Sequence, residues 1–384
     1  MADGRGFRAE NSQGDVLVPT GYAVSHLTRY WNSGSPLRLE LDGELPSYQL
    51  AYRTWGSLSP RADNAVMVCH ALTGSADADE WWKPLFGVGK ALDPEFDFIV
   101  CSNVLGGCYG STGPTSLDRH SRPYGSAFPK LTIRDQIQAQ MRLADALGIR
   151  RIRLVIGGSM GGLQALEWAL LDPERVQSLA VIAASACHSA WCLSWSEAQR
   201  LALRADARFC GGNYSLGDAP EAGLGAARAI AMMTYRSPTA LEQRYGREDS
   251  ATIFGSRARV PEDFATWSWL RHHADRFVAR FDANTYLTLL DAMDAHDVGR
   301  GRGGTASALK RIIQPALIVS ISTDGLYPPS EQRAMHDALS NAELVQIESV
   351  HGHDGFLIDA AKLEPHVARF SGRSSRLRSA SQRI

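Results

Sequence analysis

Cysteine is scarce in this chain of 384 residues, and the six present (Cys69, Cys101, Cys108, Cys187, Cys192, Cys210) form neither a C-x-x-C pair nor a Cys/His zinc spacing. A disulfide scaffold is therefore not expected, and the expected metal site is none. An excess of charge is also missing. Forty Lys and Arg stand against 41 Asp and Glu, a formal net charge of -1, so no overall field draws the molecule onto nucleic acid or an anionic membrane. Any ligand must be recognised locally. No apolar run approaches the roughly 20 residues that span a bilayer. The first twenty residues hold no apolar segment of a secretory signal. With unpaired thiols this predicts a cytoplasmic protein. No repeat of fixed period stands out, which excludes solenoids and propellers.

What is present is the material of a globular core, with 44% hydrophobic and 21% charged residues. Polar, aperiodic stretches at residues 1–20 and 369–384 predict frayed ends, the second a basic tail. LRLEL (37–41) and YQLAYRTWG predict a pair of strands. Continuous apolar runs then predict strands buried on both faces at 65–69, 97–103, 151–158, 178–185, 315–322 and 342–349. TIRDQIQAQMRLADALG predicts a helix capped by Thr132 and stopped at Gly148. Strands alternating with helices give the α/β class with a mostly parallel sheet. Residues 188–305 break that rhythm, being helix-like and rich in Arg, Ala, Trp and Tyr. They predict a helical cap inserted into a core of 21–187 and 306–368, laid over the carboxyl edge where ligands bind in open α/β folds.

The chemistry is concentrated in Gly157-Gly158-Ser159-Met160-Gly161-Gly162, a G-x-S-x-G between an apolar strand run and a helical pattern. In a chain with 35 glycines the bare pattern carries little, and the strand-turn-helix setting carries the argument. A nucleophilic Ser159 needs a carboxylate and then a histidine further along the chain. After the run 315–322 the loop Ser322–Leu326 offers only Asp324. After 342–349 the loop VHGHDGF offers His353, with His351 as its rival. An oxyanion hole wants the amide of the residue after the nucleophile, Met160, and a second from the loop CHALTG, where Leu72 is favoured. His70 is read as ordering that loop. The Gly-rich stretch 106–114 matches no phosphate-binding fingerprint and is read as a structural loop beside the acyl channel. The Trp81-Trp82 pair is read as packing.

These residues, taken with CHALTGSAD (69–77), CSNVLGGCYGSTGPTS (101–116), PYGSAFPKLTIRD (123–135), HSAWCLSWSEAQR (188–200), GLGAARAIAMMTYRS (223–237), DGLYPP (324–329) and GHDGFL (352–357), resemble the homoserine O-acetyltransferases of the α/β-hydrolase superfamily. The segments around Asp77 and His188 look closer to the fungal branch. The resemblance implies acetyl-CoA as co-substrate, no permanently bound cofactor, and ping-pong acyl transfer to L-homoserine through an acyl-Ser159, a step of methionine biosynthesis. It also implies a homodimer. Arg228 would bind the amino-acid carboxylate, Tyr235 would line the pocket and Asp354 would hold the ammonium. On the residues alone, Arg228 is one of many cap arginines suited to a surface ion pair. L-Serine as acceptor, succinyl-CoA as donor, and a plain esterase remain open alternatives. A non-catalytic relative is opposed by the intact Ser159, Asp324 and His353.

Overall fold

The structure, a computed structural model, describes residues 22–372, so most of the two terminal stretches lie outside the described residues. Its centre is an eight-stranded sheet: β1 (Arg29–Ser33), β2 (Tyr48–Trp55), β3 (Ala65–Cys69), β4 (Phe98–Ser102), β5 (Ile152–Gly158), β6 (Leu179–Ile182), β7 (Ala316–Ile321) and β8 (Ala342–Ile347), in the spatial order β1-β2-β4-β3-β5-β6-β7-β8. β1 and β2 are antiparallel and the other six strands run parallel to one another. Every residue of β3, β6 and β7 is buried, as continuous Val/Ile/Leu runs require when helices cover both faces.

One strand expectation is corrected. LRLEL does not enter the large sheet; Leu37–Arg38 forms a two-residue ribbon with Glu44–Leu45, and β1 is built instead from RYWNS. β1 is an antiparallel edge strand with mostly exposed side chains, so it lacks the apolar run that marks the central strands.

The helix α1 (Ile133–Ala146) starts where its capping signal falls. Thr132 and Asp135 form a reciprocal capping box, and Gly148 takes a φ of 72° just past the end. Helix α2 (Met160–Leu171) is buried and apolar except for Gln164 and Glu167, as befits the segment that follows the sharp turn after β5. Between β6 and β7 the described chain is helical: α3 (Ala190–Arg204), α4 (Glu221–Tyr235), α5 (Pro238–Tyr245), α6 (Ala265–Val278) and α7 (Ala283–Asp294), with shorter turns between them. These helices form a small apolar cluster of their own around Met232, Tyr245 and Trp269 and also pack on the sheet side. Leu203, Leu224, Phe277 and Tyr286 join Leu105, Leu131 and Leu163 in one apolar cluster with the sheet side. A charged clamp fixes the return toward β7, because buried Glu167 of α2 binds Arg134 at 3.1 Å and Arg302 at 2.8 Å, and Glu40 binds Arg134 and Arg300. α8 (Pro329–Ala338) and α9 (Ala360–Phe370) complete the layers.

Candidate active site

Ser159 joins β5 to α2 with φ 57° and ψ -126°, a conformation that costs a side-chain-bearing residue about 1–3 kcal/mol and that the surroundings must hold. They do so by close approach. A Cβ on Gly161 would lie 2.1 Å from the Cys69 carbonyl oxygen, and one on Gly157 would lie 2.2 Å from the Gly161 oxygen. The glycines around Ser159 are thus the space in which the first turn of α2 is pressed onto the end of β3. The Ser159 amide is tied to the Ile182 carbonyl at 2.9 Å.

The His353 Nε2 atom lies 2.8 Å from Ser159 Oγ, and its Nδ1 lies 2.7 Å from Asp324 Oδ2. The remaining oxygen of Asp324 accepts the amides of Leu326 and Tyr327, both at 2.9 Å. An ionised carboxylate only accepts, so Nδ1 carries the proton and Nε2 is free to take one from the serine hydroxyl. Burial pulls the His353 pKa down, but the charge and hydrogen bond of Asp324 outweigh it and leave the imidazole above its ordinary value. The loop carrying His353 is locked to the loop carrying Asp324. Thr323 donates to the Ser349 carbonyl at 2.7 Å and accepts the Gly352 amide at 3.0 Å. Gly352, with φ 68°, lies so close to the α4–α5 junction that a Cβ there would come within 2.7 Å of the Ser237 nitrogen. His351 makes no hydrogen bond to Ser159 and lines a concavity walled by α5.

The amides of Leu72 and Met160 donate no hydrogen bond among the described residues, which leaves both available to a developing oxyanion. The Leu72 loop is held by its neighbour. His70 is buried, places Nδ1 2.8 Å from the Ala71 carbonyl and accepts the Val104 amide at 3.1 Å on Nε2; burial lowers its pKa to about 4, so it stays neutral. Trp82 is fully buried, stacked edge-on against Phe356, and Trp81 donates to the Ser75 carbonyl.

Arg228 sits on α4 with its guanidinium carbon 5.3 Å from the Tyr235 ring centre and 5.0 Å from that of Phe277; two of its nitrogens, Nε and Nη1, are buried without a hydrogen-bond partner. Tyr235 ends that helix and lies 5.8 Å from the His353 ring, centre to centre. Asp354 follows His353 directly and faces Arg236, 3.3 Å away; burial raises its carboxyl pKa despite that arginine.

Two features escaped the sequence reading. Arg236 pairs with Asp354 because the turn into α5, capped by Ser237, swings it back toward the His353 loop. A second buried chain runs from Tyr327, whose ring lies 5.5 Å from that of His353, to His188 at 2.8 Å, on to Asp294 at 2.9 Å and then to Arg200 at 2.5 Å. His188 stands in a quoted motif, but its partners are 139 and 106 residues away, and nothing local announces them. Among the described residues no cluster of His, Cys, Asp and Glu is suited to a metal, and no helix is long and apolar enough to cross a membrane.

The parallel sheet, the strained serine turn and the Ser-His-Asp line define an α/β hydrolase, and residues 64–360 match the family model for the alpha/beta hydrolase fold. The homoserine O-acetyltransferase of Trichormus variabilis is 51% identical over 348 residues, covering 90% of this chain and 94% of that one. The chain belongs to the homoserine O-acetyltransferase family. That of Chlorobaculum tepidum is 47% identical, covering 90% and 95%. Among solved structures, a homoserine O-acetyltransferase from Staphylococcus aureus superposes with a TM-score of 0.72 at 27% identity, covering 89% and 94%; the acetyl esterase MekB does so with 0.80 at 27%, covering 90% and 96%. The fungal leaning read around Asp77 draws no support from these relatives.

Proposed function

We propose that this chain transfers the acetyl group of acetyl-CoA to the hydroxyl of L-homoserine, giving O-acetyl-L-homoserine and CoA, a step of methionine biosynthesis. Ser159 Oγ attacks the thioester carbonyl and passes its proton to His353 Nε2, while the amides of Leu72 and Met160 receive the oxyanion. Collapse expels the CoA thiolate, which takes the proton from His353, and leaves acetyl-Ser159. The homoserine hydroxyl then gives its proton to His353 and attacks the acetyl carbon; Ser159 leaves and is reprotonated. Asp324 keeps the imidazole in its working tautomer throughout.

The observation that carries this reading over a plain esterase is Arg228. A half-buried guanidinium with two buried, unpartnered nitrogens, set against Tyr235 whose ring lies 5.8 Å from that of His353, is suited to a bidentate carboxylate, which an amino-acid acceptor brings and water does not. Asp354, already beside Arg236, would share its carboxylate with the substrate ammonium, and Tyr235 would wall the space between them. The names of the relatives support acetyl transfer to homoserine in particular. Acetyl-CoA is a substrate here and not a resident cofactor. The same reading makes the protein a cytoplasmic enzyme of small molecules, binding neither nucleic acid nor membrane, and a homodimer. Exposed Trp191, Leu201 and Trp267 on the helices between β6 and β7 support that dimer.

The test is release of free CoA thiol by the purified protein from acetyl-CoA or succinyl-CoA, each with homoserine, serine or no acceptor. Release that needs acetyl-CoA and homoserine is expected. Preference for serine or succinyl-CoA would move the substrate, and equal release without an acceptor would make the chain a thioesterase.

A further inference from the structure

A concavity is lined in part by Val350 and His351, just before His353. It is a cavity of about 150 Å³, well beyond the roughly 10–15 Å³ that one water needs. Its walls come from α5, from the end of α4 and from residues 350–351, with Trp269 of α6 on one side. The loop is fastened to this wall, because Ser237 donates its hydroxyl to the Val350 carbonyl.

The polar lining is one-sided. Arg236, Arg244, Gln243, Tyr245 and His351 face the cavity, and no acidic residue lines it. Tyr245 is 2% exposed and its hydroxyl has no hydrogen-bond partner; the same holds for the buried Nδ1 of His351. The Arg244 guanidinium lies 5.5 Å from the Tyr245 ring centre, and that of Arg236 lies 5.9 Å from the Trp269 ring centre. Arg236 is paired with Asp354, the residue after His353, at 3.3 Å. Arg244 is exposed at the cavity and Arg236 is shared with Asp354; with the unpartnered Tyr245 hydroxyl and His351 Nδ1 buried in the wall beside them, they make a setting that suits an anion better than a cation.

We infer that this cavity binds a phosphate group of the acyl-CoA donor. The assignment rests on the donor proposed above. The acceptor carboxylate is assigned above to Arg228, which does not line this cavity, whereas the donor is a long molecule with phosphates at the end remote from its thioester. The cavity lies against the segment that carries the catalytic histidine two residues on, and Arg244 and Tyr245 add the fork and the hydroxyl with which proteins hold phosphate.

The experiment compares the full-length protein with Arg244→Ala and Tyr245→Phe, using acetyl-CoA and acetyl-pantetheine, the same thioester without phosphates, at saturating homoserine. Titration with inorganic phosphate is followed by calorimetry in parallel. The expected result is that Arg244→Ala cuts the preference for acetyl-CoA over acetyl-pantetheine, as the ratio of kcat/KM values, by about 10-fold or more, with Tyr245→Phe acting less in the same direction. An unchanged ratio would overturn the assignment, whether both thioesters fall together or neither does. Phosphate binding that Arg244→Ala abolishes, with the ratio unchanged, would give the cavity to a free anion and also overturn it. If the wild type releases no CoA from either thioester, the donor reading above fails by itself. In that case, absence of phosphate binding would remove the anion site too, and its presence would keep the site without the donor.

Discussion

The polar atoms on the Asp324 side of the His353 ring and those around Arg228 are satisfied in opposite ways. On the first side the carboxylate of Asp324 accepts two amides and the imidazole, Thr323 bridges the two loops, and Ser159 completes the line. On the second side two nitrogens of Arg228 are buried with nothing to bind, and further out the Tyr245 hydroxyl and His351 Nδ1 are in the same condition. A buried polar group without a protein partner costs about 1–3 kcal/mol, so one set beside a candidate site is suited to completion by a ligand. On the function proposed above, the difference separates machinery that is finished before substrate arrives from recognition that substrate finishes.

The largest effect expected from this contrast is on Ser159. Ser159→Ala should lower kcat by at least about 10⁴-fold while the protein melts at the wild-type temperature or above, since the turn no longer needs its hydroxyl. A melting curve and CoA release together check it. Next, His353→Ala should cost about 10³-fold or more in acylation and His351→Ala less than about 10-fold, because only His353 reaches Ser159; the opposite ranking would exchange their roles.

The contrast is sharpest when both sides are cut and stability is read beside activity. Asp324→Ala leaves two buried amides and an imidazole unpaired, and should destabilise the fold by about 2–4 kcal/mol in urea unfolding. Arg228→Ala removes a cation that has no hydrogen-bond partner at two of its nitrogens, and should change stability by less than about 1 kcal/mol. It should nonetheless cut kcat/KM for homoserine by about 10–100-fold and spare the first burst of CoA. Equal destabilisation by the two variants would erase the distinction. The smallest effect is on pH dependence. Because Asp324 raises the His353 pKa against burial, the acid limb of kcat/KM for acetyl-CoA should fall above pH 6.5, activity being lost as pH drops and Nε2 takes a proton. Asp324→Asn should carry that limb to lower pH, where burial is opposed only by the charge of Asp354.

The legible parts of this molecule were those written in one stretch of chain. Central strands show as continuous apolar runs, α1 carries its own capping box, and Ser159 sits in a turn whose glycines are forced by backbone contact. The order acid then histidine selected Asp324 and His353 from many candidates. Edge strand β1 was hidden because its exposed side chains carry no apolar signal. The pairing of Arg236 with Asp354, and the chain from Tyr327 through His188 to Arg200, were hidden for another reason. Each depends on segments more than 100 residues apart meeting across the helices between β6 and β7, and polar partners leave no periodic trace of such meetings.

The account turns on an acetyl group resting on Ser159 between donor and acceptor. Intact-protein mass measurement after mixing with acetyl-CoA alone tests this most directly. One acetyl mass on the wild type, mapped to Ser159, absent from Ser159→Ala and discharged by homoserine, is the predicted result. CoA release that requires both substrates at once, with no acetylated protein at any time, would mean direct transfer in a ternary complex and would contradict it.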